Sequence, residues 1–226
     1  IHMHIHETSG EISQSIENYG MRPLARLKQI GLLSPRLSAV HMTQLTDEEI
    51  TWCSDTGVNV IHCPGSNLKL ATGFTPISAL NNSGVNISIG TDGAASNNAL
   101  DMFSEIKQTA LLAKAVAQDA SSVPAHTALE MATINAAKAL GLDNMIGSLE
   151  VGKMADMIAI NFDEIETQPC YDTISQLVYA TGRDKVTDVW VAGIQLMKER
   201  QLTTMNTTKI IKDVQHWGNK IRPKNS

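Results

Sequence analysis

The first six residues, Ile-His-Met-His-Ile-His, alternate apolar and histidine side chains. That period of two suits a strand with one face turned into a site. Ile16, Leu24, Leu27 and Ile30 fall at spacings compatible with a helix over 16–30, which Gly31 can end. A second strand is expected at 37–42. Thr46 followed by Asp47, Glu48 and Glu49 has the form of a helix N-cap with acids in the first turn, predicting a helix to about residue 56. Further strands are expected at 58–62 and 85–89, each introduced by a glycine and ending in polar residues. Strands rich in β-branched residues and alternating with helices imply βα units and a parallel sheet. The polar strand ends fall at positions 4, 41, 62 and 92, spaced around the roughly 30 residues of a βαβ repeat.

A (β/α)8 barrel takes about 250 residues, whereas about 140 residues here supply four units. The expectation is therefore half a barrel, its other half lying upstream, and the chain, which opens on Ile1 directly in a strand, reads as beginning inside a larger protein. After Asp92 two helices are predicted, over 100–117 and 127–140, the second following Pro124 and ending at Gly141. From Gly147 short apolar runs at 157–160 and 186–191 are separated by Gly, Asp and Asn. They read as a small antiparallel β layer, closed by a polar helix over about 208–220.

Composition narrows the function classes. Of 226 residues 42% are apolar and 18% charged, as in an ordinary globular protein. A formal net charge of −5, with no Lys/Arg cluster, leaves no basic face for a phosphate backbone, so nucleic acid is not an expected partner. Cys53, Cys63 and Cys170 are odd in number and widely spaced, which suits a reducing cytoplasm better than a disulfide framework. No window approaches the roughly 18 apolar residues of a membrane span, and no export signal opens the chain, so no membrane association is expected.

In a parallel barrel the C-terminal strand ends and the loops after them build the active site. Four such ends carry His4 with Glu7, His41, His62 and Asp92. Imidazole nitrogen and carboxylate oxygen are the ligand types that hold a catalytic zinc while leaving a position for water. A lone strand histidine is usually core; a His or Asp on four consecutive strand ends is a poor match to that reading.

Four strings carry a resemblance: His4-Ile-His-Glu7-Thr; Ala39-Val-His41; His62-Cys-Pro-Gly-Ser-Asn-Leu-Lys-Leu70 with Gly73; and Gly90-Thr-Asp92-Gly-Ala-Ala-Ser-Asn-Asn98. Their order resembles that of the amidohydrolase superfamily, and most closely the 5-methylthioadenosine/S-adenosylhomocysteine deaminases, relatives of the triazine hydrolases. The stretch from Ile146 to Asp156 resembles that superfamily's entry into its small β domain, so the likeness covers nearly the whole chain. The implied fold is α/β: residues 1–145 as strands 5–8 of a TIM-like metal-dependent hydrolase barrel, the C-terminal half of a (β/α)8 fold, and residues 146–226 as part of a small β-sandwich domain with a C-terminal helix.

The resemblance further implies one Zn²⁺ per subunit, with His4 and Asp92 among its ligands; His/Asp sites also bind Fe²⁺ and Mn²⁺. The remaining ligands would be an upstream His-x-His pair. His2-Met-His4 has that spelling, but the Glu7-Thr8 that follows sets His4 in the fifth-strand motif. Asp92 would take a proton from the attacking water, Glu7 would act as the acid at the purine ring nitrogen, and His41 would hydrogen-bond the attacking oxygen. The expected substrate is a small purine nucleoside, hydrolytically deaminated with release of ammonia by a homodimer. A chlorohydrolase or aminohydrolase of a triazine ring is the alternative enzyme, and an inert fragment or interaction module the alternative of another class.

The other polar residues receive lesser roles. His62, Ser66 and Asn67 are expected to line the substrate pocket, together with Glu7 and His41. His6 should share the face of His4. Lys69 reads as a surface lysine, and Ser96, Asn97 and Asn98 as caps for the helix near residue 100. Gly90 to Gly93 lacks the Gly-Lys-Ser/Thr ending of a phosphate loop and reads as a tight turn. His126 and His216 read as surface residues, and the Met and Leu pairs of 100–117 as core packing.

Overall fold

A computed structural model describes residues 1–222 of the chain. Its contacts divide it into two compact units, one formed by Ile1–Lys153 and Phe162–Arg183, the other by Met154–Asn161 and Asp184 onward. The division differs from a single cut after residue 145, because Phe162–Arg183 belongs with the first unit. The reason is its helix α9 (Thr173–Ala180), which buries Val178 and packs on two helices of that unit, α6 (Met102–Ala117) and α7 (Ala125–Ala132).

The first unit is built on a parallel sheet of β1 (His2–Ile5), β2 (Ser38–His41), β3 (Asn59–His62) and β4 (Ile87–Ile89), in that spatial order. His4 pairs with Val40, Ala39 with Val60, and Ile61 with Ser88. Because all four strands run the same way, their C-terminal ends share one edge of the sheet. All residues of β2 and β4 are buried, as expected for parallel strands covered by helices. Ile5, Leu24, Leu37, Met42, Ile77, Leu80, Ile87 and Met131 are among the residues filling that core.

The helices follow the expected order but not all the expected lengths. The helix anticipated over 16–30 is two, α1 (Ser9–Tyr19) and α2 (Pro23–Gln29). Gly20, at φ 73°, closes α1 in a left-handed cap, and Pro23 opens α2, where its missing N–H costs nothing. The helix expected over 127–140 is likewise divided, into α7 and α8 (Ile134–Leu140), by the non-helical Thr133. Helix α3 (Asp47–Thr56) begins in the predicted manner: Thr46 and Glu49 form a full capping box. Two short helices unforeseen in the sequence, α4 (Pro64–Leu70) and α5 (Ile77–Asn82), follow β3.

The second unit contains one antiparallel sheet, β5 (Met157–Ile160), β6 (Val186–Val191), β7 (Ile194–Lys198) and β8 (Gln201–Leu202), and the helix α10 (Thr207–Ile221). Among the described residues this is a single four-stranded layer rather than two facing sheets. Helix α10 is amphipathic, not uniformly polar, and exposes Ile210, Ile211, Val214, Trp217 and Ile221. No helix among the described residues is long and apolar enough to cross a membrane.

Candidate active site

His4 leaves the end of β1, Glu7 lies on the turn into α1, and His41 is the last residue of β2. One potential ligand atom from each lies within 4.8 Å of the others. His41 Nε2 sits 3.2 Å from His4 Nδ1 and 3.7 Å from Glu7 Oε1, and the two rings meet edge to face with centroids 4.7 Å apart. His41 is fully buried, His4 is exposed on its edge strand, and Glu7 is a quarter exposed.

Glu7 is held from both sides. Its backbone N–H donates to Glu11 Oε2 at 2.8 Å, and its carbonyl accepts from Thr43 Oγ1 at 2.7 Å. Glu11 also accepts the N–H of His6 at 3.0 Å, while Thr8 caps the N–H of Glu11 at 3.1 Å. The Thr8-x-x-Glu11 spelling is a capping-box signal in the sequence; here the acid secures the turn between β1 and α1 instead of the cap's own N–H.

Asp92 lies beyond β4 on the loop that closes the same edge of the sheet. Its Oδ2 accepts from Ser66 Oγ at 2.8 Å and from Ser96 Oγ at 2.6 Å. Burial acts to raise its pKa, but the two hydroxyls, the Gly93 N–H and the nearby His41 prevail and hold the carboxyl below its ordinary value, ionised at neutral pH. Ser66 reaches Asp92 from α4, whose start is tied down by Glu105 on α6. Glu105 Oε2 accepts the Gly65 N–H at 2.9 Å, and its Oε1 accepts from Asn97 Nδ2 at 2.6 Å. Asp92 is outside the tight group of His4, Glu7 and His41.

Several expectations change at this level. His62 does not line an open pocket: it is 3% exposed and borders a cavity of about 10 Å³, room for about one water. Its Nδ1 bonds Thr75 Oγ1 at 3.1 Å, and burial pushes its pKa down to about 3, so it stays neutral. Asn67, also buried, faces His41: its Oδ1 is 2.8 Å from His41 Nδ1. Ser66 is wholly buried against Asp92.

His6 does not share the face of His4. A φ of 54° ends the strand at that residue and turns the ring into the core. There Nε2 accepts the Leu24 N–H at 3.0 Å, so Nδ1 carries the proton and donates to the Gln44 carbonyl at 3.3 Å. Ser96 and Asn97 do not cap the helix near residue 100; Asp101 caps α6 by accepting the Phe103 N–H at 3.1 Å. Lys69 is exposed as expected and donates to the Ala95 carbonyl and to Asn98 Oδ1. His126 is exposed beside Glu130, and His216 is exposed beside Trp217. The Cys63 thiol, next to the site, is pushed up to about 12 by burial and by the charges of Asp92 and Glu105, so it is neither a nucleophile nor a ready ligand.

A cavity of about 700 Å³ runs along the open edge of β1, bordered by Met3, His4 and Ile5 and by residues of α1 and α2. It touches none of Glu7, His41 or Asp92, and the chemistry is better located by the convergent polar groups than by this groove.

The C-terminal edge of this parallel α/β sheet gathers histidine and carboxylate side chains, the donor types of a metal-dependent hydrolase. The chain belongs to the amidohydrolase family, whose model matches residues 1–196. It is 51% identical over 224 residues to a 5-methylthioadenosine/S-adenosylhomocysteine deaminase of Teredinibacter turnerae, an alignment covering 99% of this chain and 51% of that protein. Among solved structures it resembles a zinc-bound adenosine deaminase from Xanthomonas campestris, with a TM-score of 0.96 and 52% identity over 98% of this chain and 50% of that one. It also resembles the zinc complex of an atrazine chlorohydrolase from Arthrobacter aurescens, with a TM-score of 0.89 and 26% identity over 95% of this chain and 48% of that one. The chain thus spans about half the length of the relatives it matches.

Proposed function

We propose that this chain is the active-site half of a metal-dependent hydrolytic deaminase acting on 5′-methylthioadenosine or S-adenosylhomocysteine, and that its parallel sheet is the C-terminal half of a (β/α)8 barrel. The observation that carries the reading is the convergence of His4, Glu7 and His41 within 4.8 Å at the sheet edge where the Asp92 loop also arrives. The relative of Teredinibacter turnerae, bearing the name of that activity at 51% identity, supports this substrate over a triazine, for which the likeness is 26%.

The donor set fits a divalent metal. His4 offers an exposed ring at the sheet edge. Asp92 is ionised and takes both serine hydroxyls on the same oxygen, Oδ2. His4 and Asp92 would hold the ion, with further ligands from outside this chain. When bound, Zn²⁺ supplies the field that lets a water ionise near neutral pH. The protein residues perform the rest. Asp92 accepts the proton of the attacking water. Glu7, three residues beyond His4, delivers a proton to the ring nitrogen beside the attacked carbon, where dearomatisation places charge. His41, whose Nε2 faces His4 and Glu7, hydrogen-bonds the attacking oxygen and fixes its approach. The water proton held by Asp92 passes to the amino group, the C–N bond to it breaks, and ammonia leaves with the nucleoside product, whose adenine base has become hypoxanthine.

The test is ammonia release from methylthioadenosine by the full-length protein, with Glu7→Gln as control. The reading predicts turnover by the wild type and a loss of about 10²- to 10⁴-fold in kcat for E7Q, the size of a general-acid contribution. No turnover of methylthioadenosine, S-adenosylhomocysteine or adenosine by the zinc-loaded protein, with hydrolysis of a chlorotriazine, would overturn it.

A further inference from the structure

We propose that Asn67 and Thr75 are positioning residues for His41, fixing the proton of its ring on Nδ1 so that Nε2 is presented to the site as a lone pair. The inference rests on the reading of His41 as a substrate-facing group, and it concerns a part of the machinery that does not itself touch the substrate.

Counting protons leaves one solution. Thr75 Oγ1 lies 2.6 Å from the His41 carbonyl, which can only accept, so the threonine proton is committed there. The two lone pairs of that oxygen face Asn67 Nδ2 at 3.4 Å and His62 Nδ1 at 3.1 Å, and both neighbours must therefore donate. With its amide nitrogen turned to Thr75, Asn67 presents Oδ1 to His41. That oxygen is only an acceptor, and at 2.8 Å it requires a proton on His41 Nδ1. Nε2 of a neutral His41 is then bare, and it is the nitrogen that faces His4 and Glu7. Every polar atom in this chain of bonds is assigned without freedom, except His62 Nε2, a buried lone pair with no hydrogen-bond partner among the described residues.

Burial makes the assignment rigid. His41, Asn67, Thr75 and His62 are each at most 4% exposed, so bulk water does not compete for their hydrogen bonds. Burial also keeps His62 neutral. Thr75 adds a second hold by bonding the backbone of His41 itself, where φ is 75° and an L side chain is strained. The chemical consequence is that the hydrogen bond between a neutral His41 and the attacking water is one that His41 accepts. This orients a water lone pair toward the carbon under attack, and a ring in the opposite tautomer would present N–H and turn the water around.

The experiment compares Asn67→Leu, Thr75→Val and Thr75→Ser in the zinc-loaded full-length protein with ¹⁵N-labelled histidine, His41 being assigned by its loss in His41→Gln. Two-bond ¹H–¹⁵N spectra should show His41 as the Nδ1–H tautomer in the wild type and in T75S, and as a mixture or the Nε2–H form in N67L. Kinetically, N67L and T75V should lose about 10- to 100-fold in kcat with KM and zinc content kept, while T75S should stay within about threefold of the wild type. An Nε2–H tautomer in the wild type, an unchanged kcat in N67L, or equal losses in T75V and T75S would each overturn the proposal. Should N67L fail to fold, the T75V and T75S pair still decides. If the spectra behave as expected but no purine nucleoside is turned over, the positioning stands and the functional reading falls.

Discussion

Among the non-glycine residues with left-handed backbones, His6, His41, Met42 and Asp92 cluster at the ends of β1, β2 and beyond β4. Such conformations cost on the order of 1–3 kcal/mol each and persist where the surroundings over-determine them. For His41 the determinants are Thr75 and Asn67; for Asp92 they are Ser66 and Ser96. This predicts the behaviour of Asp92→Asn, whose amide oxygen can still accept both hydroxyls. D92N should fold normally by circular dichroism yet lose most of its zinc by elemental analysis and at least about 10²-fold in kcat. Zinc content and kcat matching the wild type would remove Asp92 from the proposed chemistry. His4, Glu7, His41 and Asp92 were legible in the sequence because residue type and strand-end position together mark them. His6 was placed on the face of His4 because the sequence does not show that a φ of 54° turns its ring into the core, and the burial of His62 and Asn67 was not legible because the short helices α4 and α5 around them leave no periodic pattern.

At the scale of elements, short helices act as clamps on these residues. The split of 16–30 into two helices was signalled by Gly20 and Pro23 but masked by the apolar spacing across them. The entry to α2 is held by Arg22, whose guanidinium bonds Glu49 at 2.7 and 2.9 Å, while Glu49 also closes the capping box of α3. Burial works to raise the Glu49 pKa, but Arg22, the Thr46 N–H and His6 outweigh it and depress it below the ordinary 4.5. A depressed carboxyl contributes stability above its unfolded pKa and loses it as pH falls through the folded value. Glu49→Gln should therefore cost roughly 2–4 kcal/mol in urea unfolding at neutral pH, with the gap to the wild type narrowing below about pH 4.5. A gap constant down to pH 3 would show that the charge is not the stabilising feature.

Helix α4 is the clamp that the periodicity hid, since seven residues carry too few apolar positions to register. A Cβ at Gly65 would sit 2.5 Å from Glu105 Oε1 and 2.8 Å from Asn97 Nδ2, two groups already bound to each other. Gly65→Ala should cost about 1–3 kcal/mol in stability and lower kcat by displacing Ser66 and Asn67. Wild-type kcat and melting temperature in G65A would show that α4 can shift without disturbing the site.

At the scale of the whole molecule, the alternation of strand and helix made the parallel sheet legible, since period and element order survive in any single sequence. The return of Phe162–Arg183 to the first unit was not, because packing between distant helices leaves no local pattern. The sheet has two edge strands, β1 and β4, each with one partner. An uncovered parallel edge is a template for association, and barrels remove it by closure. The 226-residue chain by itself should thus self-associate in static light scattering, and the full-length protein should give a discrete species; a monodisperse monomer of the short chain would contradict the half-barrel reading.

The central claim is that His4 and Asp92 converge on one metal ion, with Glu7 and His41 beside it. Anomalous diffraction at the zinc edge from crystals of the zinc-loaded full-length protein tests it most directly. The account predicts a single strong peak about 2.0–2.2 Å from a His4 ring nitrogen and an Asp92 carboxylate oxygen. A fully occupied peak elsewhere, with the side chains at 4 and 92 bound to no ion, would contradict it.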